Sequence, residues 1–374
     1  MIKLGIECEN LEDPKARWGV GQATLNLLEE YANNLEWQKE YKLYLYFKKK
    51  VPDEEVFKNP IFIKRVLGFP SFNVFYHILM PLRAMADRLD WMFFPAYMLP
   101  PIYFKRSVVL LTPDVYYEYK YGNLPFRYRL AYRLFTNWAA IWASKILAIS
   151  AVSKKEVARF YNINPEKIFI SYLGVSSLDT KCAMYNTDLN YLLYIGQMFP
   201  RRHVKETILA FKKIAPEFPD LKLVMVGQDK YPSTGQPDNP SVINELVKKT
   251  NQELGSERIV HRNYLERRGD LNKLYAGAKA FIYVSNREAF GLPPMEALSF
   301  GALPIIMDNE LGHELFADNA VYTKSGSVED IANAIIQVLN ESSPSIELRA
   351  SRLEFVKKYN WKNFAERFFQ NVKN

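Results

Sequence analysis

Short apolar runs rich in β-branched and aromatic residues recur along this chain, and helical patterns separate most of them. Strands that alternate with amphipathic helices form βαβ units, because parallel strands need a long crossover between them. The first series of runs lies at residues 2–7, 42–47, 61–66, 91–94, 108–111, 145–150 and 168–173. It predicts an α/β domain with a parallel sheet, whose ligands bind outside the carboxyl ends of the strands.

A second series begins after a polar stretch at 176–190, with runs at 192–196, 221–227, 258–263, 280–285 and 303–307, helices over 204–214 and 327–340, and a surface loop over 230–239. The length of 374 residues also exceeds one typical core, since domains average on the order of 150 residues. We expect two Rossmann-like domains, at 1–180 and 188–358, with a cleft between them. A last amphipathic helix at 360–374 packs on its own domain or crosses back to the first.

Several classes of protein are excluded by what the sequence lacks. The first residues lack the long apolar stretch and cleavage site of a signal peptide, and no window of about 18 uncharged apolar residues occurs. Cys8 and Cys182 are far apart, and neither they nor the four histidines show a metal-ligand spacing. We therefore expect a cytoplasmic protein that holds no metal and no cofactor.

The net charge of +8 is concentrated in residues 1–187, which hold 25 Lys+Arg against 18 Asp+Glu. An anionic partner, such as the inner face of the membrane or a phosphate-bearing acceptor, explains this asymmetry, and so does a soluble basic face. Residues 125–143 predict an aromatic helix on which Arg129 and Arg133 share a face. That face suits an anionic bilayer, although core packing explains the aromatic residues equally well. No nucleic-acid-binding module accompanies them.

Residues 285–304 follow an apolar strand, cross a loop at Gly291 and enter a predicted helix. Pro293 and Pro294 near its start and Gly301 past its end are typical of helix boundaries. Unpaired backbone N–H groups and the helix dipole favour anions at such a start, and Gly291 lets a ligand approach the backbone. The segment therefore predicts a site for a diphosphate.

Glu288 and Glu296 place two carboxylates beside this anion site. Sugar and ribose hydroxyls are suitable partners, because a hydrogen bond to a charged group contributes on the order of 1.5 to 3 kcal/mol. Alternatively, Glu288 is a solvated loop residue and Glu296 a charge that complements the helix dipole.

The run from Glu288 to Glu296, Glu-Ala-Phe-Gly-Leu-Pro-Pro-Met-Glu, resembles the donor site of the retaining GT-B-fold glycosyltransferases of glycosyltransferase family 4. Other segments of the chain follow the order of that family's motifs. They are Gly19-Val-Gly21, Phe94-Pro95-Ala-Tyr, Ala148-Ile-Ser-Ala-Val-Ser153, Gly196-Gln-Met-Phe-Pro-Arg-Arg202, Leu274-Tyr-Ala-Gly-Ala278 and His313-Glu314. The resemblance implies a GT-B fold, in which two Rossmann-like domains with parallel sheets face each other across a cleft. The first domain would bind the acceptor and the second a nucleotide-sugar donor.

The resemblance also implies roles for single residues of the donor site. Glu288 would contact the donor sugar and Glu296 the ribose, while Phe290, Gly291 and Leu292 would offer backbone contacts to sugar and phosphate. The run after Gly196 is similar to the family's basic diphosphate clamp.

Arg202 stands in this clamp where a lysine is usual, and it can bind phosphate in bidentate fashion. The family commonly has a second basic residue where this chain has Gln197, so Arg201 or Lys205 would supply that charge. A basic first turn of an exposed helix is the alternative interpretation.

The resemblance also implies roles for two features of the first domain, the glycine pair and the segment after the strand at 108–111. In the family, the glycine pair before the first helix lets the loop approach the donor phosphates, a role that falls on Gly21; a plain helix N-cap is the alternative. After the strand at 108–111 the family shows a His-Asp pair, but the histidine position is Pro113, which has no backbone N–H. Asp114 remains a candidate for acceptor positioning, or simply caps the strand's end.

The expected reaction is transfer of a hexosyl group from a nucleoside diphosphate sugar to a glycan or lipid-linked acceptor in cell-surface polysaccharide synthesis. Glu288, Asp114 and Arg202 are its candidate catalytic residues, and Asn263 and Tyr264 are candidates for contact with the base. Resemblance to mannosyl-transferring members favours GDP-mannose. Pro113 and Gln197 motivate an alternative, a catalytically impaired nucleotide-sugar or glycan-binding partner protein. A membrane-surface scaffold that acts through the basic first domain is a third interpretation.

Overall fold

The computed structural model of the chain describes residues 1–14, 17, 19–122, 124–175, 190–230, 241–264, 268–340 and 346–373. The chain divides into two compact units. Unit 1 comprises Met1–Gly174 with Tyr359–Asn374, and unit 2 comprises Val175–Lys358.

Unit 1 is built on a parallel sheet that, within the described residues, has seven strands. The strands are β1 (Ile2–Glu7), β2 (Tyr41–Phe47), β3 (Ile63–Val66), β4 (Trp91–Phe94), β5 (Ser107–Leu110), β6 (Lys145–Ala148) and β7 (Ile168–Ile170). Their order is β3-β2-β1-β4-β5-β6-β7, so β1 is an interior strand: Leu4 pairs with Leu43 on one side and with Trp91 on the other. The nearly continuous burial of β2 and β4 is that of strands covered on both faces.

Helices form the crossover connections between these parallel strands. They are α1 (Gly19–Ala32), α2 (Leu35–Glu40), α3 (Glu55–Lys58), α4 (Phe72–Val74), α5 (Met80–Ala86), α6 (Pro113–Tyr121), α7 (Phe126–Trp142) and α8 (Ala151–Tyr161). A π-helical segment, Phe75–Leu79, joins α4 to α5, and 3-10 turns lie at Glu9–Leu11 and Pro165–Lys167.

Unit 2 repeats the plan with a parallel sheet of six strands among the residues that are described. The strands are β8 (Tyr191–Ile195), β9 (Lys222–Val226), β10 (Ile259–Arg262), β11 (Ala280–Tyr283), β12 (Leu303–Met307) and β13 (Val321–Thr323), in the order β10-β9-β8-β11-β12-β13. Because β8 and β11 are neighbours, the loops that follow them meet at one edge of the sheet.

The helices of unit 2 are α9 (Val204–Ile214), α10 (Val242–Glu253), α11 (Arg268–Gly277), α12 (Leu292–Ser299), α13 (Glu310–Phe316), α14 (Val328–Asn340) and α15 (Ile346–Val356), with a 3-10 turn at Pro200–Arg202. The strongly amphipathic α9 and α14 match the helices predicted at 204–214 and 327–340. The loop predicted at 230–239 lies outside the described residues, apart from Lys230.

The last helix, α16 (Trp361–Lys373), belongs to unit 1. Its side chains Phe364, Phe368 and Phe369 are buried. The hydroxyl of Tyr41 donates to the carbonyl of Phe369 at 2.8 Å, and the hydroxyl of Ser171 donates to the carbonyl of Phe364 at 2.9 Å. The sequence left two placements open for this helix. In the structure it crosses back and packs on the first domain.

The predicted fold class, two Rossmann-like domains with parallel sheets, is confirmed. Each predicted apolar run overlaps a strand, whereas the three residues of β13 were missed. In the described part of the chain, no helix is long and apolar enough to cross a membrane.

Candidate functional site

The loop between β11 and α12 has the geometry expected for a ligand-facing helix start. Gly291 caps α12 with φ +86°, a conformation that side chains disfavour. Two prolines then limit what the first turn can donate, because Pro293 and Pro294 have no N–H and the N–H of Met295 bonds the carbonyl of Gly291 at 3.3 Å. The predicted anion site at this start therefore has fewer backbone donors than a typical helix, chiefly the N–H of Leu292.

The loop between β8 and α9 places a positive charge at the same edge of the sheet as the start of α12. Arg202 ends the 3-10 turn and forms a bidentate pair with Glu288, with Nε–Oε1 at 2.7 Å and Nη2–Oε2 at 3.1 Å. Its Nη1 donates to the carbonyl of Gln197 at 2.8 Å. The Arg202 and Glu288 side chains are only 11% and 17% exposed. The two residues predicted to bind phosphate and sugar thus lie against each other.

The surroundings of this pair fix both partners. Ser285 Oγ donates to Glu288 Oε1 at 3.0 Å, and the Arg202 guanidinium lies 4.9 Å from the ring centre of Tyr283. Burial opposes the charge on Arg202, but the Glu288 carboxylate outweighs this effect, and the pKa of Arg202 is raised well above the ordinary value. Burial likewise raises the pKa of Tyr283, so its hydroxyl stays neutral. The site therefore holds a fixed cation at neutral pH.

Glu296, predicted to bind a ribose, projects from the second turn of α12. The hydroxyl of Tyr275 in α11 donates to Glu296 Oε2 at 2.9 Å. Tyr275 is 1% exposed and stacks on Phe300 at 5.6 Å, so its position is set by packing. This tyrosine orients one oxygen of the carboxylate.

A small cavity lies at the carboxyl edge of the sheet, between the loop after β11 and the loop after β12. Its lining includes Glu288, Phe290 and Gly291 on one side and Asn309, Leu311 and Gly312 on the other. The Asn309 side chain accepts from the N–H of Gly312 at 2.8 Å, which holds the start of α13 in place. The predicted residues Glu288, Phe290 and Gly291 thus share one cavity.

Other predicted residues of unit 2 are less central. Arg201 rests its guanidinium 4.4 Å from the ring centre of Phe199, and Lys205 is half-buried in the first turn of α9. Asn263 and Tyr264 follow β10, the edge strand, and are exposed.

In unit 1, the structure corrects the predicted positions of two residues, whose roles stay predictions. The glycine pair does not lie in a loop before the first helix, because α1 begins at Gly19 and Gly21 is buried in its first turn. A Cβ on Gly21 would lie 3.3 Å from the carbonyl oxygen of Asn10, so the glycine serves close packing there. Asp114 does not cap a strand: Pro113 is the first residue of α6, where its missing N–H costs nothing, and Asp114 complements the helix dipole.

Several residues near the pair were not assigned a role from the sequence. They are His203, Tyr275, Tyr283, Ser285 and Asn286. Ser285 and Asn286 lie three and two residues before Glu288, and Tyr275 lies in the motif at 274–278, so proximity to the motifs was a usable signal. Among the residues described, no cluster of three or more His, Cys, Asp or Glu side chains could hold a metal ion.

Comparison with known proteins identifies the second unit. Residues 184–359 match the family described as glycosyl transferases group 1. Unit 2 belongs to the group 1 glycosyl transferases. The group 1 region therefore contains Arg202, Glu288 and Glu296, which the geometry brings to one edge of the sheet.

Curated proteins that are similar to this chain include bacterial mannosyltransferases. It is 29% identical over 236 residues to O-antigen chain mannosyltransferase B of Escherichia coli, a match that covers 59% of this chain and 58% of the relative. It is 25% identical over 221 residues to O-antigen chain mannosyltransferase RfbU of Salmonella typhimurium, covering 59% and 57%. The chain thus spans less than two thirds of the length of these relatives.

Solved structures share the fold over the whole chain. The structure of Anabaena Alr3699/HepE in complex with UDP and glucose has a TM-score of 0.73 at 14% identity and full coverage of both chains. WaaG, a glycosyltransferase involved in lipopolysaccharide biosynthesis, has a TM-score of 0.68 at 15% identity, also with full coverage of both chains. These likenesses support the predicted GT-B fold.

Proposed function

We propose that this chain is a retaining hexosyltransferase that moves a hexose from a nucleoside diphosphate sugar to a glycan or lipid-linked acceptor in cell-surface polysaccharide synthesis. The observation that carries the proposal is the Arg202–Glu288 pair beside the start of α12, inside a region of the group 1 family. A buried cation and an oriented carboxylate at the carboxyl edge of a parallel sheet suit a ligand with both phosphate and hydroxyl groups.

The chemistry follows from where charge develops. As the glycosidic bond breaks, the leaving diphosphate gathers negative charge, and the N–H groups of Arg202 and Leu292 would be in place to stabilise it. Glu288 would accept hydrogen bonds from the sugar hydroxyls, and Ser285 would keep its carboxylate oriented. Glu296, oriented by Tyr275, would bind the ribose. We propose that this constellation works without a metal or cofactor.

The identity of the donor is a finer proposal. The names of the O-antigen relatives favour mannose, and we propose GDP-mannose. The chain is also 25% identical over 239 residues to a lipopolysaccharide 1,2-N-acetylglucosaminetransferase of Salmonella typhimurium, and Alr3699/HepE was solved with UDP and glucose. UDP-sugars therefore belong in any test. Asn263 and Tyr264 for the base, Arg201 and Lys205 for the diphosphate, and Gly21 and Asp114 in unit 1 remain proposed contacts.

A thermal-shift panel with GDP, UDP, dTDP and CDP, each with and without common sugars, tests the donor site. Ligand at about 100 times its dissociation constant stabilises the fold by roughly 2.7 kcal/mol. We expect GDP to raise the melting temperature of the wild type, and Glu296→Ala to reduce the shift. Glu354→Ala, which removes a carboxylate that is 70% exposed on α15, is the matched control and should behave as wild type.

Release of nucleoside diphosphate from the donor completes the test. Loss of release in Glu288→Ala supports the enzyme. Binding without release in the wild type supports the alternative of an impaired nucleotide-sugar-binding partner, which Gln197 and Pro113 motivate. No shift with any nucleotide rejects the proposed donor site.

We further propose that α7 rests on an anionic membrane surface at the inner face of the membrane. The helix contains three arginines and no acidic residue. Its first half is exposed almost all round, with Phe126 at 77% and Leu134 at 59%, and Arg129 donates to the carbonyl of Tyr119 at 2.9 Å. Exposed apolar side chains beside cationic ones suit the boundary between headgroups and acyl chains.

Vesicle sedimentation tests this surface. Vesicles that contain phosphatidylglycerol should bind the protein, and vesicles of phosphatidylcholine alone should bind it less. Each arginine near an anionic surface contributes about 1 kcal/mol, so Arg133→Ala should weaken binding about fivefold. Lys39→Ala, which removes a cation that is 72% exposed on α2, is the control. Equal binding to both vesicle types would argue against the proposal.

A further inference from the structure

His203 has an unusual backbone for a residue with a large side chain. It separates the 3-10 turn of Arg202 from α9, and its φ is +45°. A non-glycine residue adopts this left-handed conformation only with some backbone strain, and such strain persists where the surroundings impose it. Glycine would adopt it more readily, but the histidine ring makes contacts that glycine cannot make.

The ring of His203 connects loops that follow different strands. Its Nε2 lies 2.9 Å from Oδ1 of Asn286, which is in the loop after β11. The backbone N–H of Asn286 donates to the carbonyl of Arg201 at 3.0 Å. A third loop, after β13, leaves room for the ring at Gly326, where a Cβ would lie 2.4 Å from the ring carbons. The ring is thus held from both sides.

These contacts bracket the Arg202–Glu288 pair. His203 follows Arg202 directly, and Asn286 lies two residues before Glu288. Because the amide oxygen of Asn286 can only accept, Nε2 carries the proton and its hydrogen bond joins the basic loop to the acidic loop. We infer that His203 is a positioning residue: through Asn286 it fixes the register of Arg202 and Glu288 that the donor requires. The inference rests on the proposed function and deepens it.

The first variants to compare are His203→Gly and Asn286→Ala. His203→Gly relieves the backbone strain while it removes the ring, so a merely structural histidine would give a variant with unchanged donor kinetics. A positioning residue gives a melting temperature no lower than wild type, together with a KM for the nucleoside diphosphate sugar about fivefold higher, which corresponds to one lost hydrogen bond. Asn286→Ala should raise KM similarly, and the double variant should be no worse than either single one.

Two controls separate the interpretations. Asn286→Asp keeps an acceptor at the same place and should restore the wild-type KM. Asn162→Gly changes another left-handed residue, with φ +49° at the end of α8 in unit 1, and should leave KM unchanged. GDP and UDP titrations on the wild type come first.

A wild type that binds neither nucleotide and releases none rejects the proposed function and the inference with it. A wild type that binds and turns over, with the same KM in His203→Gly and Asn286→Ala, rejects the positioning role alone. A loss of activity that only follows a fall in melting temperature also rejects it.

Discussion

Replacement of Arg202 by methionine should be among the most destabilising single changes in unit 2. The guanidinium and the Glu288 carboxylate are 11% and 17% exposed and share a bidentate contact. Methionine keeps the apolar volume but leaves the carboxylate without its cation. Removing one partner of a buried ion pair lowers the free energy of unfolding by about 3 to 5 kcal/mol. Because Glu288 is partly exposed, we expect Arg202→Met to fall at the lower end of this range, near about 3 kcal/mol.

That loss can be converted to a melting temperature. Unit 2 spans Val175–Lys358, a size at which each kcal/mol shifts the midpoint by about 2 to 4 °C, so the expected fall is roughly 6 to 12 °C. The double variant Arg202→Met/Glu288→Leu removes both charges and should recover to within about 1 kcal/mol of wild type. Lys39→Met breaks a pair whose side chains are 72% and 78% exposed, and it should cost less than about 0.5 kcal/mol.

Differential scanning calorimetry is the appropriate assay. All six tryptophans of the sequence fall in unit 1, so tryptophan fluorescence does not report directly on unit 2. A cost below about 1 kcal/mol for Arg202→Met would show that the pair behaves as a surface ion pair. A double variant that is as unstable as the sum of its single changes would refute the argument from an uncompensated charge.

Three further outcomes are expected. Tyr275→Phe keeps the packed ring but removes the hydrogen bond to Glu296, so KM for the donor should rise about fivefold in steady-state kinetics while the melting temperature stays within a few degrees of wild type. Burial raises the pKa of Glu7 from 4.5 to about 8, so between these pH values the folded protein keeps a proton that the unfolded chain has lost. As the pH rises from about 5 to about 8, the wild type should therefore lose stability relative to Glu7→Gln, by up to about 1.4 kcal/mol per pH unit. Thermal unfolding of both proteins at several pH values measures this difference. A Cβ on Gly227 would lie 1.8 Å from the carbonyl oxygen of Gly196, so Gly227→Ala should unfold at much lower denaturant concentration than wild type, and a normal midpoint would contradict the close approach.

Local patterns were sufficient to predict most of the fold. Most of the runs that became β1 to β12 contain four or more apolar residues and are bounded by turns or helical patterns, so their pattern carried the information. The three residues of β13, Val321–Thr323, are too short to show a pattern of their own. Their strand character depends on pairing with β12, which is a property of the assembled sheet.

The sequence indicated some members of the candidate site but not its geometry. The run from Glu288 to Glu296 is recognisable as a motif, yet the contact of Glu288 with Arg202 spans 86 residues of sequence. A hydrogen bond of that kind depends on the neighbouring positions of β8 and β11. Likewise, Pro113 looked like the loss of a functional group, because its use as the first residue of α6 becomes visible only when the helix boundary is known.

The place of α16 in unit 1 has a consequence for the order of folding during synthesis. Residues 175–358 leave the ribosome before residues 361–373, which supply Phe364, Phe368 and Phe369 to the core of unit 1. Until then the faces of Tyr41 and Phe93 that these rings cover are open to solvent or to a chaperone. Domains usually fold as units in the order of their synthesis. Here the second unit can complete its core first, and a ribosome stalled before residue 361 would carry a first unit that exposes aromatic surface and is prone to aggregation.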